Sequence, residues 1–103
     1  MSALQHWLDA RTPEAPPALR ARIALVLREH PEWESVSHAE ALLKASQALL
    51  REVLAAEPKD REAALALLAA DACITYAFEA AAESPSTFGA VADHAMESIA
   101  KLV

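Results

Sequence analysis

The stretch KDREAALALLAADACITYAFEAAAE, residues 59–83, decides how this chain is read. Alanine and leucine, the strongest helix formers, fill most of it, and it contains neither proline nor glycine. Leu65, Leu68, Ala69, Ala72 and Tyr76 cover one side of the helix it forms, while Leu67, Ile74 and Phe78 cover another. A helix that is apolar nearly all round is one that other helices bury. The segment is therefore expected at the centre of an all-α domain.

The rest of the composition agrees. The chain has 103 residues, one domain's worth, and by size scaling buries roughly two-thirds of its unfolded surface without metal or disulfide support. It has one glycine and no asparagine, the residues that hairpins and tight turns use for positive φ. Hydrophobic residues make up 54%, about half of them alanine, so helices can approach closely while leucine, isoleucine, valine and the aromatics carry the burial energy.

Prolines and caps divide the chain. A short helix over residues 2–11, capped by Ser2, carries Leu4, Trp7 and Leu8. Residues 12–16 form a stiff proline-rich linker, and Pro17 suits the first turn of a helix over 17–30 with the stripe Leu19, Ile23, Val26 and Leu27. Arg20, Arg22 and Arg28 lie off that stripe, and Pro31 ends it. Ser37 and Glu40 form a capping box ahead of a helix over 37–56, with Leu42, Leu43, Leu49, Leu50, Val53 and Leu54 at helical spacing and a Glu40–Lys44 pair on its outer side. Pro58, Asp60 and Glu62 open the helix over 58–83, and Ser84–Pro85 open a last one over 85–102. That helix turns Phe88, Val91, Ala92, Ala95, Ile99 and Leu102 inward, with Asp93, Glu97 and Lys101 outward. Short connections favour antiparallel neighbours, so the expected fold is a small antiparallel four-helix bundle with an additional short N-terminal helix.

Few polar residues invite a chemical role. Asp71, Thr75 and Glu79 recur every four residues and share one line of the fourth helix. That line is the helix's wet edge, or pairs with an arginine of the second helix, or lines a polar pocket inside the bundle, since an unpaired buried carboxylate is costly. His6, His30, His38 and His94 match no zinc spacing. His94 and Glu97 make a half-site only, in the reverse order of the Glu-x-x-His pair of bundle metal sites, so no metal and no cofactor is expected. Cys73 lacks a neighbouring cation and reads as a buried structural thiol; Ser37 and Ser84 read as caps. Trp7 rides on a helix too short to stand alone, and Trp33 sits in the turn after Pro31, where it either lids the core or anchors a contact. Leu25 lies opposite its helix's stripe and, near Trp33 or Leu4, would extend an apolar patch.

One local resemblance is present. Residues 68–79, Leu-Ala-Ala-Asp-Ala-Cys-Ile-Thr-Tyr-Ala-Phe-Glu, resemble a helix of the trans-isoprenyl diphosphate synthases, which often reads Leu-Ala-Gly-Asp-Ala-Leu before Ala-Phe-Glu. The aspartate-rich diphosphate-binding motifs of that family are absent and the chain is far shorter than its fold, so the resemblance carries over no activity.

The net charge of −6 and a pI of about 5.1 argue against a nucleic-acid surface or an anionic membrane. The single cysteine excludes an internal disulfide. No basic region precedes an apolar run at the N-terminus, and Asp71 breaks the longest apolar stretch, leaving it too short to span a bilayer; a cytoplasmic location is expected. With no nucleophile–base pair to nominate, the leading expectation is a non-enzymatic protein-interaction domain that docks on a partner or forms a homodimer. The competing one is a small-molecule or metal sensor using Asp71, Thr75 and Glu79 inside the bundle.

Overall fold

A computed structural model describes residues 3–11, 15–57, 59–83 and 85–102, with backbone alone for 85–88, 90 and 91. The expected roles of Ser2, Pro13, Pro58 and Ser84, and the inward placement of Phe88 and Val91, lie outside the described residues or side chains.

Local chemistry sets the helix ends. Helix α1 is Ala3–Arg11, α2 Pro17–Arg28, α3 His38–Ala55, α4 Arg61–Ala82 and α5 Pro85–Leu102, and the described residues contain no strand. Pro16 caps α2 with Pro17 in its first turn, where a missing N–H costs nothing. Ser37 Oγ accepts the Glu40 backbone N–H at 3.2 Å, and Asp60 accepts that of Glu62 at 2.9 Å, so each supplies a partner for one orphan donor. Between α2 and α3 the turn at Pro31 closes into a short 3-10 helix, Pro31–Ser35. The outer Glu40–Lys44 pair does not form; the i,i+4 ion pair among the described residues is Lys101 with Glu97, at 3.8 Å.

The centre of the molecule is α3, not α4. Ala39, Ala41, Leu42, Leu43, Ala45, Ser46 and Leu49 are all buried, so α3 is covered over most of its circumference. It packs against α2, α4, α5 and the 3-10 turn, and its pairing with α4 is the most extensive in the fold. Buried Ser46 donates to the Leu43 carbonyl at 2.7 Å, which satisfies its hydroxyl within its own helix. On α4 the buried positions are Ala66, Ala69, Ala70, Cys73, Ala77 and Ala81. These small residues recur at helical spacing and let the α4 backbone approach α3 closely.

The large side chains of α4 pay for that arrangement with exposure: Leu67 is 50% exposed and Leu68 60%. This corrects the expectation of a helix buried all round, and the reason is geometric. A face of small residues packs closer than a face of leucines, so α4 turns its alanines inward and its leucines outward. Leu54, expected on the α3 stripe, is also 60% exposed: it stands at the edge of that stripe, one turn beyond Leu50, which is itself only half-buried. On α5, Ala95 is buried, Ala92, Ile99 and Leu102 are half-buried, and Asp93, Glu97 and Lys101 are exposed as expected.

Helix α1 is held by side chains rather than by close backbone approach. Leu4 and Leu8 are buried in the core. Trp7 donates its indole N–H to Glu83 Oε1 at 3.0 Å, and the Arg11 guanidinium lies 4.4 Å over the Trp7 ring while pairing with the same Glu83. Trp7 also meets the His38 ring at 5.9 Å. Arg20 reaches Asp9 of α1 at 4.0 Å, and Arg22, only 12% exposed, pairs with Glu52 of α3 and leaves Nη1 buried without a hydrogen-bond partner.

A pair of truncations separates the central helix from the outer face. Leu42→Ala is expected to cost about 2–5 kcal/mol, because it opens a cavity in a closed core. Leu68→Ala, on a face exposed in the single chain, is expected to change the stability of the monomer, at concentrations too low for association, by less than about 0.5 kcal/mol. Urea unfolding followed by circular dichroism measures both.

Candidate functional site

A groove among the described residues lies where α1, α2 and the 3-10 turn meet. It has a volume of about 390 Å³, within the range of small-ligand pockets. Leu4 and Gln5 reach it from α1, Ala24, Leu27 and Arg28 from α2, and Pro31, Trp33 and Glu34 from the turn. The local sequence builds this wall. Pro31 starts the turn, the Trp33 N–H donates to the His30 carbonyl at 3.1 Å, and Ser35 Oγ donates to the Glu32 carbonyl at 2.9 Å. That winding stacks Trp33 on the His30 imidazole, with ring centres 4.0 Å apart and planes 8° from parallel. His30 Nδ1 lies 3.4 Å from Glu32 Oε1. The wall is thus a preformed aromatic surface with a polar edge.

Trp33 serves partly as lid and partly as wall, since it packs on the core and also lines the groove. Trp7 is engaged inside the chain with Glu83, Arg11 and His38. Leu25 is 42% exposed and does not line the groove. A second cavity beside Tyr76, between α1 and α2, holds about 20 Å³, room for roughly one water.

The line of Asp71, Thr75 and Glu79 faces solvent: all three are exposed, and Thr75 Oγ1 donates back to the Asp71 carbonyl at 3.2 Å. The polar pocket expected around it inside the bundle is therefore not formed by these residues. Their helix turns its alanine face inward, which points this line away from the core. Arg20 and Arg22 of α2 pair with Asp9 and Glu52 rather than with this line.

Burial pushes the Cys73 thiol up to about 12, so it is protonated at neutral pH and is no nucleophile there. Burial, reinforced by the Glu79 carboxylate and by Cys73, likewise raises Tyr76 and keeps its phenol neutral. No group of three or more metal-ligating side chains comes together among the described residues, and His94 and Glu97 stand exposed on α5. The 22-residue helix α4 holds an 18-residue window with a mean hydropathy of 1.5, 28% of it buried, and is long and apolar enough to cross a membrane by length and composition. The interruption at Asp71 therefore does not make the segment too short, because one carboxylate barely lowers the mean of so aliphatic a helix.

Sequence reading passed over Arg28, Gln5 and Glu34 as groove residues. A signal was present in His30 and Trp33, three residues apart across Pro31, which a 3-10 turn brings onto one side. Comparison with protein-family models, curated proteins and solved structures gives no match. The resemblance of residues 68–79 to the trans-isoprenyl diphosphate synthases is thus confined to that segment.

The buried thiol has a consequence for stability against pH. Because the folded state holds the Cys73 proton more tightly than the unfolded chain does, its contribution is fully present below about pH 8.5 and is lost as pH rises toward 12. Cys73→Ala is expected to remove that part of the alkaline loss in urea midpoints. A wild-type thiol that reacts with a disulfide reagent at pH 7.5 as fast as the urea-unfolded chain would contradict the burial on which this rests.

Proposed function

We propose that this chain is a non-enzymatic protein-interaction domain, an antiparallel bundle of α2 to α5 with α1 laid across it, that forms a homodimer through the outer face of α4. The observation that carries the reading is the adjacent pair Leu67 and Leu68, half or more exposed on the most aliphatic helix of the chain. Met96 at 73% and Leu54 at 60% add exposed aliphatic surface on α5 and α3. Large apolar side chains gathered on one helix face signal association when they form a contiguous patch.

A two-fold contact sets the same face against itself, which suits a single helix face. Asp71 and Thr75 lie between the azimuths of Leu67 and Leu68, one and two turns further along the helix, so the apolar contact would end at them toward the C-terminus of α4. A lone buried thiol needs no oxidising compartment, which fits a cytoplasmic setting.

Light scattering across a concentration series tests the reading. The wild type is expected to run as a dimer, and the double variant Leu67→Lys, Leu68→Lys as a folded monomer with unchanged helical content. A wild type that stays monomeric at millimolar concentration would overturn the self-association. Wild-type flotation with neutral vesicles, lost in the double variant, would instead assign the leucine face to a bilayer.

A further inference from the structure

The groove between α1, α2 and the 3-10 turn carries two opposite charges at its lining, Arg28 and Glu34. Neither enters the ion pairs of the described residues, so the two do not neutralise each other across the groove. Most of the remaining lining is apolar: Leu4, Ala24, Leu27, Pro31 and Trp33. His30 is already committed to its stack on Trp33 and to Glu32, and Gln5 donates its amide to Asp9 at 2.9 Å. The charges of the groove that enter no ion pair among the described residues are therefore one cation, on α2, and one anion, on the turn, in a lining that is otherwise mostly apolar and partly aromatic.

We infer that this groove is a binding site for a small zwitterion with an apolar body, the chemistry of a free hydrophobic α-amino acid. A guanidinium recognises a carboxylate with two parallel hydrogen bonds, and a carboxylate recognises an ammonium group. The apolar cleft takes the side chain, and the Trp33 face suits an aromatic one. A ligand with a single charge would engage Arg28 or Glu34 but not both. No lining residue belongs to α4, so the site stands apart from the proposed dimer face.

The test uses the intact chain with three probes of equal body: L-phenylalanine, 3-phenylpropionate, which lacks the amine, and phenethylamine, which lacks the carboxylate. Nitrogen–proton correlation spectra at low ionic strength follow each titration. L-phenylalanine is expected to shift the Arg28, His30 and Trp33 resonances and to bind about fivefold tighter than either singly charged probe. Arg28→Gln is expected to erase the advantage over phenethylamine, and Glu34→Gln the advantage over 3-phenylpropionate. Both residues are exposed, so both variants should fold, and their spectra report it. Equal binding of the three probes, shifts confined to other surfaces, or no shifts at millimolar L-phenylalanine would each overturn the assignment.

Discussion

The close approach of α3 and α4 is the contact on which the rest of the structure depends. Ala41 and Ala45 on α3 are buried, as are Ala66, Ala69, Ala70, Cys73 and Ala77 on α4. Small side chains contribute little area each, but they bring two backbones near and let dispersion contacts accumulate along the seam. The leucines that close the core, Leu42, Leu43 and Leu49, belong to α3. Once α4 has given its narrow face to this seam, Leu65, Ile74 and Phe78 reach partial cover at its sides, and Leu67 and Leu68 are left outside. The exposed Leu67 and Leu68 follow from the same constraint that builds the core.

The other elements are attached by different means. Helix α2 adds Ile23 and Val26 to the core and ties to α3 through Arg22 and Glu52. Because the Arg22 side chain is mostly covered and its Nη1 is unsatisfied, Glu52 offsets a desolvation cost more than it adds stability. Helix α1 stands further off and is fixed by Leu4, Leu8 and the cluster of Trp7, Arg11 and Glu83. That stand-off opens the groove beside α2, so the manner in which α1 is attached creates that concave surface.

Helix positions were legible in the sequence because their causes are local. Pro17, Ser37, Asp60 and Pro85 act within a turn of themselves, and every helix falls within a few residues of its expected span. The ranking of burial was not legible from apolar content alone. Where nearly every face of α4 is apolar, the face that is covered depends on what its neighbours can approach, and alanine is easily overlooked as a packing residue. The recurrence of Ala66, Ala69, Ala70, Cys73, Ala77 and Ala81 was in the sequence, and reading it as a seam would have turned Leu67 and Leu68 outward. The groove was hidden for another reason. Leu4 and Leu27 are brought together only by the placement of α1, which no periodicity encodes.

Native-state hydrogen exchange tests most directly whether α3 is the structural centre with α4 sealed to it along its small-residue face. The amides from Leu42 to Leu49 are expected to exchange only through global unfolding, together with those of α4 around Cys73, while α1 opens at lower cost. Amides of α3 that exchange as readily as those of α1, with α4 or α5 alone retaining full protection, would contradict this account.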